Sequence, residues 1–140
     1  LAALQKEGKI RHIGLSEITV DQLTAAQKVT PIASVQNRYN MAERGADPLL
    51  EACEAQNIAF IPWAPLGSGP LVADGGPLQT IASKYRIKPS QLAVAWLLKR
   101  SPVMIPIPGT SRVAHLDENV SAAEVTLTDE EFAALSEPEQ

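Results

Sequence analysis

Ile105-Pro106-Ile107-Pro108-Gly109-Thr110-Ser111-Arg112-Val113-Ala114-His115-Leu116-Asp117-Glu118-Asn119 is the stretch on which the fold of this 140-residue chain turns. The apolar run from Val103 to Ile107 reads as a buried strand. It breaks at Pro108-Gly109, and the hydroxyl pair Thr110-Ser111 then opens an amphipathic helix with Val113, Leu116 and Val120 on its apolar side. A strand that turns through glycine into a helix start leaves backbone N–H groups without intrahelical partners. Those donors and the helix dipole together favour an anion. Arg112, in the first turn, sits badly at the positive end of that dipole, and a bound phosphate would offset the mismatch. Spacing alone leaves a second explanation open, an ordinary strand-to-helix turn with a solvated arginine.

Upstream, the same unit recurs three times. Leu1 to Glu7 reads as the tail of a helix ended by Gly8 at C′, and the start at Leu rather than Met suggests that this helix belongs to something longer. Ile10 to Leu15 forms a short strand ending at Ser16. Thr19 and Gln22 make a capping box opening a helix that Pro31 closes. Ile32 to Gln36 is the second strand, with Asn37 to Asn40 as the loop beyond. Asp47-Pro48 supplies an N-cap and proline at N1 for a helix with Leu49, Leu50 and Cys53 inside, ended by Asn57. Ala59 to Trp63 is the third strand, running into the turn-forming loop Pro65 to Pro70. Two helical stretches follow, around Leu78, Ile81 and Tyr85 and then Leu92, Ala93, Trp96 and Leu97, the latter started by Pro89. Beyond the opening stretch, Thr128 and Glu131 make a second capping box, with Phe132 and Leu135 inside.

The alternation of short, almost wholly apolar strands with helices predicts a parallel sheet with crossover helices, its strands buried on both faces. An open doubly wound sheet and a closed barrel both fit. Two points favour the (β/α)8 barrel. No Gly-x-Gly-x-x-Gly follows any strand, and the phosphate-type turn comes after the last strand, where eight-stranded barrels often place one. Four units make half of such a barrel, since a whole one takes roughly 200 residues or more.

Composition sets outer limits. A hydrophobic share of 45% and a charged share of 20% suit a globular chain. Twelve basic against sixteen acidic residues give a net charge of −4, which leaves no basic footprint for nucleic acid. No apolar run approaches membrane-spanning length. The single cysteine, Cys53, excludes an internal disulfide, suits a reducing cytoplasm, and falls at a core spacing with Leu49 and Leu50.

Four segments in register then carry a resemblance. Gly8 to Ser16 (Gly-Lys-Ile-Arg-His-Ile-Gly-Leu-Ser), Val35 to Asn40 (Val-Gln-Asn-Arg-Tyr-Asn), Ile61 to Gly67 (Ile-Pro-Trp-Ala-Pro-Leu-Gly) and Ile107 to Arg112 (Ile-Pro-Gly-Thr-Ser-Arg) closely resemble the aldo-keto reductases, over almost the whole chain. The resemblance implies a (β/α)8 barrel that reduces aldehydes and ketones with NADPH and no metal. Residues 1–140 would be its C-terminal half, strands five to eight of a single incomplete domain.

By the same resemblance, Ser16 and Gln36 match residues that hydrogen-bond the nicotinamide carboxamide, and Trp63 matches an aromatic that stacks on the nicotinamide ring. Ala64, Pro65, Leu66 and Gly67, within the loop to Gly69, resemble a segment passing over the pyrophosphate. Gly109, Thr110, Ser111 and Arg112 match the pocket for the ribose 2′-phosphate. His115 matches a position near that phosphate and the adenine, and Glu118 and Asn119 a pair that binds the adenine. His115, Glu118 and Asn119 share one helix face by their spacing. Taken singly, Gln36 satisfies strand-end backbone, Trp63 is a core aromatic, and Glu118-Asn119 is a solvated helix face. One departure stands out. The family usually has asparagine after the serine, and here Glu17 puts a carboxylate beside the expected carboxamide.

The family draws its proton from a tyrosine tuned by lysine and aspartate, with a histidine orienting the carbonyl. All four lie on the first half of the barrel and have no counterpart here. Tyr39 and Tyr85 lie outside that motif, and His12 has no acid–base partner nearby in sequence. The expectation is therefore an NADPH-dependent reductase fragment with no catalytic and no metal-binding residue. Its partners would be a carbonyl substrate and either the missing half-barrel or a second copy, since a half-barrel has two unpaired strand edges. The alternative is a non-catalytic half-barrel that binds nucleotide or a protein.

Overall fold

A computed structural model of the chain describes residues 1–67, 72–73, 75–76 and 78–137. The elements run α1 (Ala2–Lys6), β1 (Gly14–Ser16), α2 (Val20–Gln27), β2 (Ser34–Arg38), α3 (Asp47–Ala55), β3 (Ala59–Trp63), α4 (Gln79–Tyr85), α5 (Pro89–Arg100), α6 (Val113–Ser121), a short 3-10 turn (Ala122–Glu124) and α7 (Asp129–Ser136). The three strands form one parallel sheet in the order β1-β2-β3. Local signals set most boundaries. Both capping boxes form, Thr19 with Gln22 and Thr128 with Glu131. Gly8 takes the left-handed conformation (φ 73°) after α1, and Asn57 does the same (φ 53°) after α3.

Strand bounds shift where the ladder decides rather than hydropathy. β1 pairs only from Gly14, because its one neighbour begins at Ser34. β2 runs on through Asn37 and Arg38, which were expected in the loop, because Trp63 lies opposite Arg38. Pro31 does not close α2, which stops at Gln27. Asp47 is the first residue of α3 rather than its cap. Its carboxylate instead accepts from the Tyr39 hydroxyl at 2.6 Å and pairs with Arg100 at 2.9 Å, tying β2, α3 and α5 together.

The core lies on one face of the sheet. Val35 and Phe60 are fully buried with Leu23, Leu50, Cys53, Leu92 and Trp96. Tyr39 packs edge-on to Phe60 (5.7 Å between ring centroids), and Trp96 stacks between Tyr39 (6.3 Å) and Phe132 (5.6 Å). Burial pushes the Cys53 thiol up to about 11, so it stays a protonated small hydrophobe. On the other face Ser34, Gln36, Ala59, Ile61 and Trp63 are only half-buried, so the strands are not covered on both sides as expected.

The segment from Val103 to Val120 departs most from its sequence pattern. Val103 to Ile107 is no regular strand, and it meets β3 at a single parallel bridge, Phe60 with Met104. The Phe60 N–H donates to the Val103 carbonyl and the Ile105 N–H to the Phe60 carbonyl, both at 2.8 Å. The next rung would need an N–H at Pro62, which has none, and Pro106 and Pro108 remove two more donors. Ile105 and Ile107 are exposed. The helix that follows starts at Val113, not at Thr110, and Arg112 is its N-cap rather than part of its first turn. Its apolar stripe is not buried: Val113 is 75%, Leu116 53% and Val120 66% exposed, since no described element lies over that side.

Candidate functional site

Parallel pairing brings Ser16, Gln36 and Trp63 to the same end of adjoining strands. Ser16 is the last residue of β1 and sits in register with Gln36; Gln36 faces Ile61, and one step on Arg38 faces Trp63, the last residue of β3. Ser16 is exposed and Gln36 half-buried, and among the described residues neither side chain has a hydrogen-bond partner. That leaves a hydroxyl and a carboxamide open toward one small region beside an accessible indole, a donor set able to hold a planar ring bearing an amide. The backbone just beyond each outer strand is held in an unusual state. Glu17 (φ 52°) and Ala64 (φ 51°) both adopt the left-handed region without being glycine, a cost of about 1 kcal/mol or more apiece.

Asparagines supply much of the bracing. Asn37 accepts from the Ile18 N–H (3.2 Å) and donates to the Ile18 carbonyl (3.0 Å), clamping the loop after β1. Asn40, fully buried, donates to the Ala64 carbonyl at 3.1 Å and accepts from the N–H groups of Ala42 and Glu43 at 3.0 Å each. Ala64 to Gly67 closes as a turn, Gly67 donating to the Ala64 carbonyl at 2.9 Å with φ 64°. Ser68 and Gly69, the rest of the loop expected near a pyrophosphate, lie outside the described residues. A cavity of about 470 Å3 opens beside this region, lined by Glu17, Thr19, Asn37, Arg38 and Glu43 among others; Ser16, Gln36 and Trp63 do not line it.

The second group of expected residues follows the bridge at Met104. Gly109, Thr110, Ser111 and Arg112 are all exposed. Among the described residues nothing crowds Gly109, where an added Cβ would meet no atom within 4 Å. The Thr110 hydroxyl accepts from the Arg112 N–H at 3.1 Å and so takes up one donor at the helix start. The N–H groups of Val113 and Ala114 find no acceptor among the described residues, which leaves a helix terminus with free donors beside an exposed guanidinium. His115, Glu118 and Asn119 are half-buried along α6. Glu118 forms an ion pair with Lys88, which holds its carboxyl below the usual range, helped by the positive charge of Arg112 nearby. No hydrogen bond among the described residues joins this group to the strand-end group.

Sequence reasoning missed Asn37, Arg38, Asn40, Lys88 and the engaged state of Glu17. Only the run Asn37-Arg38-Tyr39-Asn40, read as a loop beyond the second strand and as part of a family-like segment, hinted at them. Neither tyrosine hydroxyl is open. Tyr39 donates to Asp47, and Tyr85 donates to the Glu131 carboxylate, with the Thr126 carbonyl 3.1 Å from the same hydroxyl. Burial, then Asp47, raises Tyr39 well above the ordinary phenol value, and Glu131 first of all raises Tyr85. His12 is exposed. Among the described residues no group of three or more His, Cys, Asp or Glu side chains is placed to hold a metal, and no helix is long and apolar enough to cross a membrane.

Comparison with known proteins bears on the same segments. A family model described as the Aldo/keto reductase family matches residues 1–139. An uncharacterized oxidoreductase of Schizosaccharomyces pombe is 51% identical over 137 residues, covering 98% of this chain and 45% of that protein. Pyridoxine 4-dehydrogenase of Escherichia coli is 42% identical over 135 residues, covering 96% and 47%. A crystal structure of an aldo-keto reductase from Klebsiella pneumoniae in complex with NADPH superposes with a TM-score of 0.84 at 26% identity, over 99% of this chain and 52% of that one. A thermostable aldo-keto reductase bound to the inhibitor epalrestat superposes at 0.87 with 32% identity, over 96% and 51%. The chain thus spans about half the length of the relatives it matches. A half-covered strand face opposite a helix-covered one is what part of a closed barrel presents, because the inward face is filled from the remaining strands. Four motif segments in order, a parallel sheet carrying three of them at one end, and a family match along nearly every residue give one answer: this chain is built as about half of a (β/α)8 barrel and belongs to the aldo/keto reductase family.

Proposed function

We propose that this chain is the C-terminal, cofactor-holding half of an NADPH-dependent reductase that converts aldehydes and ketones to alcohols. The observation that carries the reading is the meeting of Ser16, Gln36 and Trp63 at one end of three adjoining parallel strands. NADPH supplies the hydride for such a reduction. Ser16 and Gln36 hold the nicotinamide carboxamide and Trp63 stacks on the ring, which fixes the face turned to the substrate. Ala64, Pro65, Leu66 and Gly67 run near the pyrophosphate. Gly109, Thr110, Ser111 and Arg112 take the 2′-phosphate with the free N–H groups at the start of α6. His115, Glu118 and Asn119 serve the adenine end, Glu118 after giving up Lys88. The proton for the developing alkoxide comes from outside these 140 residues, since both tyrosine hydroxyls are engaged within the chain.

One observation favours the second reading, a nucleotide-binding half-barrel without catalysis: the hydroxyls of Tyr39 and Tyr85 are both engaged within the chain. Titrating the chain with NADPH and with NADH, followed by quenching of tryptophan emission, tests both readings. Tighter binding of NADPH is expected. Equal affinities remove the 2′-phosphate assignment, and binding of neither removes the cofactor role.

A further inference from the structure

Glu17 takes the place at which the family pattern has asparagine, yet its carboxylate is turned to the protein. Its Oε1 accepts from the Arg38 backbone N–H at 2.8 Å and from the indole Nε1–H of Trp63. Its own N–H donates to the Gln36 carbonyl at 2.9 Å. The same short stretch covers one face of the indole, because the Arg38 guanidinium carbon stands 5.1 Å from the centroid of the Trp63 ring. That guanidinium is itself held, its Nε donating to Glu43 Oε2 at 2.8 Å, and the same oxygen accepts from Asn40 Nδ2 at 2.8 Å. Asn40 then reaches the carbonyl of Ala64, the left-handed residue directly after Trp63. The indole is thus fixed at its edge by Glu17, on one face by Arg38 and along its backbone by Asn40.

From this arrangement we infer that Glu17 is a positioning residue for the cofactor platform: it sets the rotation of the Trp63 ring, with Arg38 backing one face so that the other is presented to the nicotinamide. A freely rotating indole would offer a stacking partner either face or its edge and would lose side-chain entropy on binding, and a ring fixed beforehand avoids that cost. The left-handed backbone at Glu17 is part of the device. It brings the side chain of a residue beyond the end of β1 across to the last residue of β3, at the cost of local strain. The assignment rests on Trp63 meeting the cofactor, but the Glu17–Trp63 hydrogen bond does not depend on it.

The test uses the whole chain, isotopically labelled, and the two indole N–H signals of Trp63 and Trp96, assigned by Trp63→Phe. In Glu17→Ala the Trp63 signal is expected to move upfield and exchange faster with water. The Trp96 signal should stay put, since that ring is fully buried and donates to Ser136 Oγ at 2.9 Å. Glu17→Gln, whose amide oxygen still accepts, should restore most of the Trp63 shift. NADPH affinity should fall about three- to tenfold in Glu17→Ala and recover in Glu17→Gln, the effect of one exposed charge-assisted hydrogen bond. An unmoved Trp63 signal in Glu17→Ala overturns the inference outright. A moved signal with unchanged NADPH affinity leaves the bond but overturns the positioning role. Wild-type chain that binds no NADPH, with the Trp63 signal still sensitive to Glu17, overturns the cofactor reading instead.

Discussion

The strand-end region and the segment from Val103 to Ser121 are assigned to one cofactor, yet they are built in opposite ways. Around Ser16, Gln36 and Trp63 the polar side chains brace the backbone: Glu17, Asn37, Arg38 and Asn40 are all engaged, and two residues are held in strained conformations. From Val103 onward there is one sheet bridge, an exposed turn, and a helix whose apolar side faces outward. Its fixed points are Lys88 with Glu118 and the Gln91 amide donating to Ser121 Oγ at 2.9 Å. Beyond it the chain is secured by the buried Ala122 and Leu127, by Lys99 donating to the Leu127 carbonyl at 2.9 Å, and at α7, where Glu131 meets Lys84 and Tyr85. Rigid framing therefore accompanies the proposed nicotinamide end. The proposed 2′-phosphate end has free N–H donors and an exposed arginine.

This contrast can be broken in order of expected effect. Trp96→Ala removes a fully buried ring stacked between Tyr39 and Phe132 and should cost about 3–5 kcal/mol, read as a lowered urea midpoint. Arg112→Ala should weaken NADPH about tenfold and leave NADH nearly unchanged in the same titration; an equal loss for both would make Arg112 a general structural cation. The pH response tests the fastening of α7. Lys84 first, then Tyr85 and the Thr128 backbone, lower the Glu131 carboxyl from 4.5 to about 2. A lowered carboxylate adds stability above its unfolded value, so this contribution is complete above about 4.5 and lost as pH falls toward 2. Glu131→Gln should flatten the acid unfolding curve across that window and leave its neutral end parallel to wild type. Smallest of all, Leu116→Lys on the exposed stripe of α6 should shift stability by no more than about 0.5 kcal/mol. A loss comparable to Trp96→Ala would mean that something covers that stripe in solution.

Legibility in the sequence followed how local each cause was. The capping boxes, the left-handed ends at Gly8 and Asn57, the bounds of β3 and the burial of Cys53 each depend on a few neighbouring residues, and all were readable. The fourth strand failed because hydropathy does not count donors, and the decisive missing N–H belongs to Pro62 on another strand. The stripe of α6 had the right spacing for burial, but periodicity says which side is apolar and not what lies against it. At the candidate site Ser16, Gln36 and Trp63 were reached through family motifs, and the pairing register then brought them together. Glu17 was singled out as a departure, whereas its reach to Trp63 depends on a left-handed turn that neither glycine nor asparagine announced. Lys88 caps α5 whereas Glu118 lies on α6, and no local pattern links them.

The prolines that interrupt the last rungs have a further consequence. An open sheet edge invites any extended chain to dock, and it does so through unused backbone donors. Along residues 103 to 108 almost none remain. The Met104 N–H is taken by the Ser101 carbonyl, that of Val103 by Ser101 Oγ, and that of Ile105 by Phe60, while Pro106 and Pro108 have none. Only Ile107 keeps one. A stray strand meeting this border would find apolar side chains and acceptor carbonyls but a single N–H, so the segment is a poor template for fibrous stacking.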